Sequence, residues 1–161
     1  MMATHALGPR GEQSMIVRQF VEWLVRDVAP KDYLSEILAV RNCFVQPSLT
    51  RPWAPMWRYL NDPRHVEMVK TPERMVREIL EHGSTVTDCD DTSTAAAAFC
   101  LHMGREVELV AMGFAPQQLS HVAVRVKEPK TGQWIVLDGV AGPREKEAAG
   151  KAKEILVKSL D

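Results

Sequence analysis

Cysteine is scarce in this chain. There are three, Cys43, Cys89 and Cys100, with no CxxC spacing among 161 residues. An odd count without paired spacing argues against a disulfide framework or a closed zinc site, and it suits a reducing compartment. Charge of one sign is also lacking. Twenty Lys and Arg stand against 21 Asp and Glu, for a net charge of -1, which gives no reason to expect nucleic acid or an anionic membrane as partner. No apolar run is long enough to span a bilayer. Met1 to Ser14 carry no signal-peptide apolar segment, so a cleaved leader is not expected. No internal repeat is visible. The length fits one domain over 15–161 behind a flexible lead over 1–14, with an ordinary apolar share to build its core.

What is present begins with helices. Met15, Ile16, Val17, Phe20, Val21, Leu24 and Val25 recur at helical spacing, predicting a helix to about Asp27, which Ala29-Pro30 breaks. Asp32 can cap a second helix with Leu34, Ile37, Leu38, Val40 and Phe44 on its apolar side. Gln46 to Pro55, with three prolines, reads as irregular. The aromatic cluster of Trp53, Trp57 and Tyr59, with Leu60, reads as core. Asn61-Asp62-Pro63 signals a turn, and Thr71-Pro72-Glu73 starts a helix that His82-Gly83 end. Beyond Gly104 the period becomes that of strands, over Glu106–Met112, around Val122, Val124 and Val126, and around Ile135 and Leu137. From Arg144 onward, Ala148, Ala152, Ile155 and Leu156 predict a short terminal helix. Helices followed by antiparallel strands define an α+β protein.

The stretch with the most chemistry is Thr87-Asp88-Cys89-Asp90-Asp91-Thr92-Ser93-Thr94, which ends a polar loop and opens an alanine-rich helix. A cysteine at a helix N-terminus faces unpaired N–H groups and the positive end of the dipole, which favour thiolate, the nucleophile of cysteine chemistry. The flanking aspartates oppose that, so a reactive Cys89 needs a cationic partner. A register with Lys127 opposite Gly132, across a loop from Glu128 to Thr131, gathers Val122, Val124, Val126, Ile135 and Leu137 on one face. It sets His121 directly opposite Asp138 on the other, with Cβ atoms roughly 5 Å apart. A carboxylate beside an imidazole fixes its tautomer and stabilises its charged form. Nucleophile, base and orienting carboxylate are the parts of acyl transfer through a thiol.

Asp88-Cys89-Asp90-Asp91 before an alanine-rich helix, then Ser120-His121-Val122 and Trp134-Ile135-Val136-Leu137-Asp138, resembles the transglutaminase-like superfamily. The nearest branch is that of small proteins encoded by tailed phages and prophages, with Tyr59-Leu60-Asn61-Asp62-Pro63 and Thr71-Pro72 matching its upstream segment. The resemblance spans roughly Val17 to Val140. It implies a papain-like core with the N-terminal helices packed on a small antiparallel sheet and the nucleophile at the start of a central helix. It also implies Cys89 as nucleophile, His121 as general base and acid, and Asp138 as orienting carboxylate. The Cys89 N–H would be one oxyanion donor, with Trp57 or Tyr59 as candidates for a second. Two positions depart from the pattern: Thr87 stands where the family has glycine, and Gly139 where it has proline.

No metal and no cofactor is expected. The cysteines and five histidines lack ligand spacing, and Asp88, Asp90 and Asp91 lack the glycine and closing glutamate of a calcium loop. Two functional classes follow. One is a thiol-dependent hydrolase or acyl transferase acting on a peptide or protein amide. The other is a non-catalytic structural or assembly protein, with other phage structural proteins as partners. The expected place is the host cytoplasm, or else the virion. Neither substrate nor oligomeric state is legible.

Overall fold

The computed structural model describes residues 14–60, 69–113, 121–138 and 154–159. Helix α1, Met15–Leu24, buries Val17, Phe20 and Val21, the apolar positions three and four apart. It stops short of Asp27, where the chain tightens into turns ahead of Pro30. Helix α2, Tyr33–Cys43, starts where Asp32 accepts from the Ser35 N–H at 3.2 Å. It buries Ile37, Val40 and Cys43, while Leu34, expected on the apolar side, is exposed. Helix α3, Pro72–His82, has Thr71 as its cap and ends at Gly83, whose φ of 83° suits glycine. A Cβ there would also lie 2.4 Å from Thr50 Oγ1 and 2.7 Å from the Thr50 nitrogen.

Helix α4, Cys89–His102, is the centre of the molecule. Every residue from Asp91 to Cys100 is buried, and α4 meets each of the three other described helices as well as the sheets. Four consecutive alanines keep its girth small, so elements can approach it from all sides. Phe99 is the filling piece: its ring lies 5.4 Å from that of Phe20 and 6.3 Å from that of Trp57.

Among the described residues, two sheets complete the α+β fold. Strand β1, Trp57–Tyr59, runs parallel to β2, Thr85–Thr87, with Tyr59 paired to Thr87. The stretch before Cys89 is therefore a strand at its end rather than a loop. Strands β3, Val107–Gly113; β4, His121–Lys127; β5, Trp134–Leu137; and β6, Glu154–Ser159, form an antiparallel sheet in the order β5-β4-β3-β6. Leu109, Val107, Val124, Val126 and Leu137 join the main core with α4, and Val122 and Ile135 pack against it.

Three expectations are corrected. The register of β4 and β5 is Val124 with Leu137 and Lys127 with Trp134, two residues away from the predicted one. The loop is longer because the Glu128 carboxylate accepts from Lys130 N, Thr131 N and Thr131 Oγ1, and Glu128 N donates to Gln133 O at 2.8 Å. A shift of two keeps every side chain on its face. The predicted terminal helix is also corrected: residues 154–159 form β6 on the edge of β3, where a row of open backbone groups outweighs local helix preference. The rest of that helix, Asn61-Asp62-Pro63 and the lead over 1–13 lie outside the described residues. Finally, the aromatic cluster divides. Trp57 is buried, but Trp53, Tyr59 and Leu60 are exposed.

Candidate active site

The site begins with how α4 starts. Asp88 caps it, accepting from Asp91 N at 3.1 Å, and Asp91 Oδ2 accepts in return from Asp88 N, also at 3.1 Å. This capping box satisfies two orphan donors of the first turn. The other Asp91 oxygen accepts from the Lys70 backbone N–H at 2.8 Å. Lys70 Nζ in turn bonds Glu78 Oε1 at 2.7 Å and reaches Thr85 on β2. Two of the acidic residues around Cys89 are thus structural, and Cys89 is left as the first helical residue, partly exposed. Thr87, where the resembling family has glycine, sits in a strand. Among the described non-glycine residues only Lys31 has positive φ, so no glycine is needed at Thr87.

His121 opens β4 and Asp138 follows β5. The observed register sets Asp138 beside Ala123, diagonal to His121 on the same face. Their side chains meet: His121 Nε2 lies 2.5 Å from Asp138 Oδ2, with the carboxylate almost wholly buried. Cys89 lies close enough to the ring to favour its charged form. The His121 pKa is raised from 6.5 to about 10, first by the bond to Asp138 and then by Cys89, against the opposing effect of burial. The upward shift favours the imidazolium form.

The two aromatic candidates for a second oxyanion donor differ sharply. Trp57 packs in the core, its ring 4.7 Å from that of Phe44. Its indole N–H is buried, makes no conventional hydrogen bond among the described residues, and faces the Cys43 sulfur. The Trp57 polar atom thus lies on the core side of β1. Tyr59, two residues on, is 52% exposed. Its phenol is pushed above its usual pKa, first by burial of part of the ring and then by the nearby Cys89 and the carboxylates of Asp88, Asp138 and Asp90. Pairing of Tyr59 with Thr87 and a 2.9 Å bond from Leu60 N to Thr87 O carry β1 to the start of α4. Sequence reasoning did not single out Ser93, which joins α4 to β4. It also missed the Lys70 contact, for which the sequence offers no signal. Among the described residues no three His, Cys, Asp or Glu side chains gather as metal ligands, and no helix is long and apolar enough to cross a membrane.

No family model matches the chain, and no curated protein matches it. Among solved structures, the chain is similar in fold to a crystal structure described as "a putative protease" from Parabacteroides distasonis ATCC 8503, with a TM-score of 0.56 and 12% sequence identity. The match covers 84% of this chain and 26% of that one, so this chain spans about a quarter of the neighbour's length.

Proposed function

We propose that the protein is a thiol-dependent amide hydrolase or acyl transferase with a transglutaminase-like, papain-like core, in which Cys89 is the nucleophile, His121 the acid and base, and Asp138 the orienting carboxylate. The observation that carries this is the His121 ring, held at 2.5 Å by a buried carboxylate and near enough to Cys89 that the cysteine favours its charged form. The description of the structural neighbour as a protease fits the same reaction class.

In this reading the Cys89 sulfur attacks the carbonyl carbon of a peptide or protein amide, and a carbon–sulfur bond forms. The oxygen takes the negative charge, with the Cys89 N–H and the Tyr59 hydroxyl as its donors. The imidazolium of His121 gives a proton to the leaving nitrogen as the carbon–nitrogen bond breaks, and a thioester remains. Neutral His121 then takes a proton from the incoming water or amine, and the carbon–sulfur bond breaks. Asp138 keeps the ring oriented and charged when needed.

The test is intact-mass measurement after incubation with a panel of peptide, peptidoglycan and glutamine–amine substrates. The expected result is an acyl adduct on wild type that Cys89→Ala does not form. Identical behaviour of the two proteins across the panel, with Cys89→Ala still supporting the biological role, would replace the enzyme by a scaffold.

A further inference from the structure

We propose that Ser93 is a positioning residue that fixes the Cys89 sulfur against the His121 ring by tying α4 to β4. The proposal rests on the thiol–imidazole reading above. Ser93 lies four residues after Cys89, so both project from the same side of α4. It is 2% exposed, and its hydroxyl donates to the Val122 carbonyl at 2.8 Å. Val122 is the residue next to His121.

The direction of that carbonyl gives the bond its meaning. Lys127 N donates to Glu106 O, so alternate residues back to His121 turn their backbone groups toward β3. Val122, of the other parity, turns its carbonyl toward the β5 side, past the last strand pair of Val124 with Leu137. The Ser93 hydroxyl meets it there. The neighbouring hydroxyls act differently: Thr92 and Thr94 donate back to Asp88 O and Asp90 O within their own helix. Of the three, Ser93 is the one that reaches another element.

Elsewhere α4 is held to the sheet by apolar contacts among Phe99, Leu109, Val124 and Val126. Such contacts are non-directional and tolerate small slides. A hydrogen bond fixes distance and angle. A slide of about 1 Å between nucleophile and base can cost roughly 100-fold in rate, so a directional tie one turn from the sulfur and one residue from the ring has a role that packing cannot fill.

The experiment is the pH dependence of Cys89 alkylation by iodoacetamide, in wild type, Ser93→Ala, Ser93→Thr, Thr94→Val and His121→Ala, with melting temperatures alongside. Ser93→Ala is expected to label about tenfold more slowly at pH 7, the rate equivalent of one hydrogen bond, and to lose part of the pH dependence that His121→Ala loses entirely. Ser93→Thr keeps the hydroxyl and should recover most of the rate. Thr94→Val removes a buried hydroxyl from the same helix and should leave the profile in place. A Ser93→Ala profile superimposed on wild type, a Ser93→Thr no faster than Ser93→Ala, or a Thr94→Val shift as large as that of Ser93→Ala would each overturn the tie. If His121→Ala matches wild type, the thiol–imidazole reading itself fails and the tie falls with it. If His121→Ala differs and Ser93→Ala does not, the tie alone fails.

Discussion

The two ends of α4 each carry a cysteine, and the two thiols face opposite worlds. Cys100 sits in the last turns, fully buried, and burial holds its thiol far above the usual range despite the nearby charge of Arg105. Cys43, on α2, is pushed up to about 12 in the same way. Cys89 opens the helix, partly exposed, near a His121 ring whose charged form is favoured by its neighbours. Residue type and helix are shared, so surroundings alone separate a packing atom from the proposed nucleophile. The polar turn of Cys89 to Thr94 builds a site, and the alanines and Phe99 that follow hold it in place.

The largest effect should come from exchanging the roles. Cys89→Ala is expected to abolish turnover, a loss of roughly 10⁶-fold by analogy with removal of other nucleophiles. Cys100→Ala should keep turnover per folded molecule and cost about 1 kcal/mol of stability, as for other small core truncations. Denaturant melts with activity assays check both. Equal losses of activity would erase the contrast between the two ends.

Next is the carboxylate. Asp138→Asn keeps the shape and removes the charge, so turnover should fall roughly 10²- to 10⁴-fold. The sign of the pH effect follows from His121. Its pKa is raised from 6.5 to about 10, first by the Asp138 bond. Asp138→Asn should therefore move the alkaline limb of the rate profile to lower pH. Because the shift is upward, the stabilisation it brings is complete below pH 6.5 and lost as pH rises toward 10. Wild type should lose melting temperature over that window, and Asp138→Asn should lose less.

A smaller loss, roughly 100-fold in turnover, is expected for Tyr59→Phe, with little change in melting because the phenol is at the surface. Trp57→Phe should act the other way round, lowering stability by packing and leaving turnover per folded molecule in place. Smallest is the helix start. Asp91→Ala should cost about 1–3 kcal/mol, since Asp88 N and Lys70 N both lose a buried acceptor. A chemical melt reads this directly.

The local features were legible. Thr71-Pro72 and the Asp88–Asp91 spacing carry their own capping chemistry, and alternation in β4 and β5 assigned faces correctly, so His121 and Asp138 could be placed together. Alternation cannot fix the stagger, because a shift of two leaves every face unchanged. The Glu128 bonds that lengthen the hairpin are specific to one loop conformation and have no periodic signature. Strands β1 and β2 have three residues each and exist only through their mutual pairing, which no local pattern encodes. Strand β6 depends on the open edge of β3, and which of Trp57 and Tyr59 is buried depends on which of them meets Phe99 and Phe44. These are tertiary facts.

The central claim is that Cys89, His121 and Asp138 act as one unit, and the most direct measurement is an NMR titration of the His121 ring. In wild type the ring should remain protonated through neutrality and titrate toward about 10. Asp138→Asn and Cys89→Ser should each bring it down. A wild-type ring that titrates near 6.5, unmoved by either substitution, would contradict the account.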